Sequence, residues 1–254
     1  MNIIPTVNKD KVAILVKAGR LQSWDFVDSI KQESYIKEHV ELIKETGYKY
    51  GIQRLESFKL IDYQQPWHRL WVIEFPTFEG AEAWIESEMA PPYGSHGYWE
   101  YYLARPWGPD YFSKWPAKVY NPINKPIIDT DEHTIPALEI NENNIVVIMF
   151  GRTLPGSDIL DLNTRGDKEH VNLMKKVAKD YGLIRLEGFK LIAPQDSWHR
   201  AWIIEFPTLE GAEAWIKAEV EPVYGSHNSK TYHIARNYFL TDISRFKPST
   251  SINK

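Results

Sequence analysis

Glu74-Phe-Pro-Thr-Phe-Glu-Gly-Ala-Glu-Ala-Trp-Ile85 returns with one residue changed as Glu205-Phe-Pro-Thr-Leu-Glu-Gly-Ala-Glu-Ala-Trp-Ile216. The offset of 131 holds without a gap from Tyr50–Arg105 onto Tyr181–Arg236, and 35 of those 56 positions are identical. Arg-Leu-Glu-x-Phe-Lys-Leu-Ile recurs at 54–61 and 185–192, Trp-His-Arg at 67–69 and 198–200, and Tyr-Gly-Ser-His at 93–96 and 224–227. The chain is a tandem duplication. A period above 100 residues is too long for a solenoid unit and suits two small domains. The expected organisation is a first repeat over 1–105, a connecting segment over 106–142 and a second repeat over 143–254.

Both repeats read alike. Lys11–Lys17 and Asn144–Phe150 are short, β-branched apolar runs and predict strands. Ser23–Glu45 is helical in composition, with Ile36, Val40 and Ile43 at helical steps, and its counterpart is about Lys168–Tyr181. Arg54–Ile61 and His68–Phe75 alternate as two strands around a turn containing Pro66. Thr77 is a plausible N-cap for a second helix, with Glu79 in its first turn. Pro91–Gly97 reads as a loop and Trp99–Arg105 as a last strand. The order is β-α-β-β-α-β, the split ferredoxin-like unit. Such a unit has both helices on one face of its sheet, and the other apolar face must be covered. The second copy is the obvious cover. The expected class is α+β, two tandem ferredoxin-like units forming a pseudo-dimeric α/β barrel.

Element order and duplication together resemble the dimeric α/β-barrel superfamily over about 200 of the 254 residues. That superfamily includes cofactor-free monooxygenases, polyketide cyclases, lyases, isomerases and haem enzymes such as chlorite dismutases. The resemblance implies chemistry on a small molecule without fixing which.

Thirty Lys and Arg against 34 Asp and Glu leave a net charge of -4, which lacks the basic surplus of a general nucleic-acid binder. Hydrophobic residues at 43% supply a core, and the absence of cysteine excludes disulfides, thiolate nucleophiles and Cys-ligated metals. No secretory h-region and no bilayer-length apolar run is present, so a soluble, cytoplasmic protein is expected. Six prolines within 106–142 predict an extended linker, and the tail after Arg236 is its shorter counterpart. Aromatic content is high, with 10 Trp, 14 Tyr and 10 Phe. Trp67, Trp71, Trp84, Tyr50 and Tyr101 recur in the second copy and suit a doubled core. Trp99, Trp107 and Trp115 do not recur. With Tyr98, Tyr102, Tyr111 and Phe112 they either line a ligand pocket or fasten the linker.

Three histidine pairs match between the copies: His39 and His170, His68 and His199, His96 and His227. Across Leu21–Lys49 only six of 29 pairs are identical, all between Lys37 and Lys44. Folding or function holds that patch. His96 and His227 follow Tyr93 and Tyr224 by three residues in a glycine-containing loop. Imidazole and phenol there suit proton abstraction beside a carbonyl, or simply a turn closed by the serine hydroxyl and the ring. His68 and His199 either contact substrate or satisfy buried neighbours. Arg69 and Arg200 are expected to bridge to Glu56 and Glu187. Arg105 and Arg236 suit a carboxylate or phenolate anchor, a helix cap or a bridge to the linker. Trp99, Tyr102, His39 and His170 complete the expected substrate-binding set.

The expected function is acid–base catalysis on a hydrophobic, carbonyl-bearing molecule, of cyclase, isomerase, lyase or cofactor-free monooxygenase type. His96, Tyr93, His227 and Tyr224 are the expected catalytic groups. The alternatives are a non-catalytic binder of a hydrophobic or aromatic ligand and a haem-binding member of the same fold. No cofactor is the first expectation, with haem or a divalent metal as alternatives because histidine and glutamate ligands are present. Nucleic-acid and membrane partners are not expected. The oligomeric expectation is a monomer with an internal pseudo-dimer or a homo-oligomer.

Overall fold

The structure is a computed structural model that describes residues 6–7, 9–62, 66–108, 142–161, 164, 166–193 and 197–238. Trp115, Tyr111, Phe112, His133 and most of the expected linker lie outside them. Two compact units emerge.

The first unit contains β2 (Val12–Arg20), α1 (Ser29–Lys49), β3 (Arg54–Leu60), β4 (Arg69–Phe75), α2 (Phe78–Met89) and the start of β5 (Gly97–Gly108). Its strands order as β5-β2-β4-β3. The β2–β4 and β3–β4 pairs are antiparallel, with Val12 opposite Phe75 and Arg54 opposite Glu74. Alternation decides the faces. Val12, Ile14, Val16, Ile73 and Phe75 pack with Ile43 of α1 and Trp84 of α2 into one core, which Trp99, Tyr101 and Leu103 join. Thr77 caps α2 by accepting a hydrogen bond from the Gly80 amide, as its position predicts. The helix expected from Ser23 instead begins at Ser29, because Asp28 caps it by accepting from the Lys31 amide. Gln22–Phe26 forms a separate 3₁₀ turn. Gly51, at φ +66, supplies the left-handed residue that turns α1 toward β3.

The second unit contains β6 (Ile145–Thr153), α3 (Asp167–Asp180), β7 (Arg185–Leu191), β8 (Arg200–Phe206), α4 (Leu209–Val220) and β9 (Asn228–Asn237). Its strands order as β9-β6-β8-β7, all antiparallel. Residues from Ala104 onward in β5 belong to this unit and pair with β7, and β1 (Thr6–Val7) pairs with Trp107 and Gly108. Pro106, where the connecting segment is expected to begin, lies in β5, opposite Phe189. Trp107 is core rather than pocket lining, buried edge-on to Trp202 at 5.1 Å. The fold class read from the sequence, α+β with two ferredoxin-like units in tandem, is the one observed.

Register corrects the gap-free offset in one place. Val12 faces Phe75 and Ile145 faces the equivalent Phe206. The first strands therefore correspond at an offset of 133, two more than elsewhere. Arg20 then matches Thr153, and Lys17 matches Phe150.

Candidate functional site

Helix packing in the first unit sets His39 of α1 beside the C-terminal turn of α2. The His39 imidazole is stacked on the Tyr93 ring, with centroids 4.1 Å apart and planes 19° apart. Its Nε2 lies 3.9 Å from Glu88 Oε2, and its Nδ1 is buried without a partner. Arg20, at the end of β2, donates to the Tyr93 hydroxyl and lies over the rings of Tyr93 and Trp24. The Tyr101 hydroxyl and Arg20 Nη1 are also buried and unpartnered.

Burial controls the protons here. Desolvation, assisted by the Arg20 charge, pushes the His39 imidazole down to about 4. Desolvation pushes the Glu88 carboxyl up to about 8, against the pull of Arg20. The Tyr93 and Tyr101 phenols are both raised, mainly by burial. Near neutral pH the set therefore holds a neutral imidazole next to a protonated carboxyl.

The second unit repeats the arrangement with one exchange. His170 stacks on Tyr224 at 3.7 Å and 13°, and its Nε2 lies 3.6 Å from Glu219 Oε2. His170 Nδ1 and the Tyr232 hydroxyl are buried without partners. Burial pushes this imidazole down to about 4 as well. The cation is different in kind and origin. Lys230 of β9 ion-pairs with Glu219 and lies 4.6 Å from the centre of the Tyr224 ring. By the sequence offset Lys230 stands where the first copy has Trp99, and by strand register Thr153 stands where it has Arg20.

Other expected site residues go elsewhere. Tyr93 and Tyr224 meet His39 and His170, not the loop histidines that follow them. His96 Nδ1 is 3.0 Å from Ser23 Oγ, and His227 Nδ1 is 3.3 Å from Ser157 Oγ. The carbonyls of His96 and His227 accept from the Leu21 and Leu154 amides. His68 is half-buried and lowered by burial and the neighbouring Arg69 and Arg20 charges, whereas His199 is exposed. Trp99 and Tyr102 lie on opposite faces of β5 and form no common wall. Trp99 Nε1 donates to the Gly94 carbonyl beside the helices. Tyr102 bonds Glu100 and Lys17 on the other face. Arg105 lies opposite Lys190, and Arg236 donates to the Asn143 carbonyl at 2.6 Å. The expected Arg69–Glu56 bridge does not form. Glu56 stands opposite Val72 and pairs with Arg54, and Glu187 pairs with Arg185 at 2.7 Å. Alternation puts Arg69 on the opposite face of the sheet.

Glu88 and Glu219 were not singled out by the sequence reading, nor were Tyr101 and Tyr232 as site residues. All four are identical between the copies. Among the described residues, no three His, Asp or Glu side chains gather as a metal-ligand set. No helix among them is long and apolar enough to cross a membrane.

The fold has solved counterparts. A point mutant of chlorite dismutase from Candidatus Nitrospira defluvii matches with a TM-score of 0.67 at 11% identity, covering 93% of this chain and 95% of that one. The same enzyme in complex with imidazole gives 0.67 at 11% identity over 93% and 95%. A proposed chlorite dismutase gives 0.63 at 12% identity over 92% of this chain and 97% of that one. No known sequence family and no curated protein matches the chain. At these identities the likeness shows the fold alone.

Proposed function

We propose that the chain is a small-molecule enzyme that binds haem in its second unit, where His170, with Glu219 beside it, would hold the iron. One observation carries this reading: a buried imidazole with a carboxylate at one ring nitrogen and nothing at the other. A histidine that ligates a metal commonly gives its second nitrogen to a carboxylate, which fixes the ring and raises its basicity. The donor set thus fits a histidine that would hold haem iron, and the likeness of fold to chlorite dismutases supports the same choice. The first expectation, that no cofactor is used, has no comparable support.

Haem would supply redox chemistry at its iron. The residues of the chain hold and orient. Glu219 lies 3.6 Å from the His170 ring, Lys230 anchors Glu219, and Tyr224 covers one face of the imidazole, whose Nδ1 is buried without a protein partner. His39 is the poorer candidate. Its carboxyl neighbour is farther away and carries a proton near neutral pH, so it accepts less well.

The test is haemin titration of the purified chain followed by visible absorbance. A saturable Soret shift is expected, lost in His170→Ala and kept in His39→Ala. Glu219→Gln should weaken uptake by roughly 10–100-fold. A chain that takes up no haem, or one whose Soret band is unchanged in His170→Ala, overturns the reading.

A second reading applies to the first unit. Glu88 keeps its proton near neutral pH while His39 beside it stays unprotonated. That pairing suits proton transfer on a carbonyl-bearing molecule, with Glu88 as acid and His39 as base in place of the loop histidine. Turnover of such a compound should fall in Glu88→Gln and His39→Gln. Ligand binding without any turnover points instead to a carrier.

A further inference from the structure

The first unit contains positive charge that no carboxylate among the described residues pairs with. Arg20 forms no ion pair with a carboxylate among the described residues. Its Nη2 is spent on a neutral phenol, Tyr93, and its Nη1 is buried with no partner. Arg69 is in the same position: its Nε is buried and unpartnered, and its guanidinium lies over the Tyr238 ring at 5.1 Å. Both charges act on the Tyr93 phenol and on His68, so the two arginines share one neighbourhood. Glu88, the carboxyl that feels the Arg20 charge, is pushed up to about 8 by burial and forms no ion pair with either arginine. A desolvated cation without a counter-charge is costly, and a bound anion removes that cost.

Aromatic surface stands beside the charge. Trp24 meets Tyr93 edge-on at 5.5 Å and His96 at 5.7 Å. Arg20 and Trp24 are both partly exposed, so the cluster opens to solvent. Guanidinium groups suit the planar fork of a carboxylate, and ring walls suit an apolar body attached to it. The second unit lacks the feature. Thr153 replaces Arg20, and Lys230 is already paired with Glu219. The duplication has kept the His–Glu–Tyr set in both copies and left the unbalanced cation in one.

We propose that the first unit is a binding site for a small carboxylate with an aromatic body, with Arg20 as its charge partner. The residues of the site belong to the first unit, whereas the proposed haem ligand His170 belongs to the second. It names a substrate class for the acid–base reading of the first unit, but binding requires no proton transfer, so the two fail separately.

The experiment is calorimetric titration of the full chain with benzoate, acetate and benzyl alcohol. Benzoate is expected to bind saturably. Acetate lacks the body and benzyl alcohol lacks the charge, and each should bind at least about tenfold more weakly. Arg20→Met should lose benzoate binding by about tenfold or more, the range for a hydrogen bond to a charged group. Lys31→Met, which removes an exposed cation of the same unit, should bind as the parent does. If Arg20→Met does not fold, Arg20→Lys is read instead. It keeps the charge without the planar fork and should bind several-fold more weakly. Three results overturn the proposal: no saturable benzoate binding, benzyl alcohol binding as tightly as benzoate, or benzoate affinity unchanged in the Arg20 variant that folds. Loss of turnover in Glu88→Gln with benzoate binding intact leaves this site standing and bears only on the acid–base reading.

Discussion

Glu88→Gln should make the protein more stable at pH 8 and leave it unchanged near pH 4.5. The Glu88 side chain is only 13% exposed, and burial lifts its carboxyl from 4.5 to about 8. In the unfolded chain the same carboxyl ionises at its ordinary value. Between pH 4.5 and 8 the native state therefore binds a proton that the unfolded state has lost. Stability must fall as pH rises through that window, because the state that binds more protons is disfavoured by their removal. At ~1.4 kcal/mol per pH unit, the rise from 4.5 to about 8 corresponds to a loss on the order of 5 kcal/mol. Above pH 8 the loss is complete and the curve flattens.

His39 bends the curve the other way. Its imidazole falls from 6.5 to about 4 on folding, so the unfolded chain binds the extra proton and stability rises with pH across that interval. His170 acts in the same sense. With two histidines against one glutamate, these groups together give rising stability up to about pH 6.5 and falling stability from there to pH 8. The difference between parent and variant isolates Glu88, since the histidines contribute equally to both. The assay is urea unfolding followed by tryptophan fluorescence at half-unit steps from pH 4.5 to 8.5. Glu88→Gln should lack the falling limb and exceed the parent by several kcal/mol at pH 8. An identical falling limb in parent and variant would mean that Glu88 is ionised in the native state, and the reasoning on its burial would be wrong.

Arg54→Met should destabilise the chain by about 3–5 kcal/mol, because Arg54 pairs with Glu56 and Glu74, both nearly inaccessible, and its loss takes a buried cation from both, with Lys11 still pairing Glu74. Chemical unfolding at pH 7 measures this, with partial relief expected at low pH as the carboxylates take up protons. Gly94→Ala should cost about 1–3 kcal/mol, since its new methyl group meets the backbone carbonyl of Met89. A shift of the loop that displaces Tyr93 from His39 should also appear as a changed His39 ring signal by NMR.

Element order, strand faces and the Thr77 cap were legible because each rests on neighbours within a few residues. Alternation alone separates Trp71, Ile73 and Phe75 from Leu70, Val72 and Glu74, and the core that Ile73 and Phe75 enter follows that division. The site was legible only in its ingredients. His39 and Tyr93 lie far apart in sequence, and their contact exists because α1 packs against α2. Pairing Tyr93 with His96 followed sequence proximity, but a short 3₁₀ turn over Gly94–His96 leads the two side chains to different partners. A usable signal was present in the duplication. A histidine patch preserved against drift implies a preserved partner, and Glu88 with Tyr101 are identical polar residues in both copies.

What a constant offset conceals is compensation between unlike positions. The cation that lies over the shared tyrosine comes from β2 in one unit and from β9 in the other. Neither Arg20 nor Lys230 has a basic counterpart at the matching place, so a residue-by-residue comparison scores both as unconstrained. The same pattern appears on the opposite face of the sheet. Lys17 and Tyr102, which bond each other in the first unit, become Phe150 and His233 in the second. Paired exchange of this kind changes the charge of a site while retaining its scaffold. Lys230 pairs with its own glutamate, whereas Arg20 donates to a phenol and has no carboxylate partner among the described residues. The two units therefore share a His–Glu–Tyr frame and differ in electrostatic demand. A duplicated pair with one balanced and one cationic site is the condition under which two different ligands can be held by one fold.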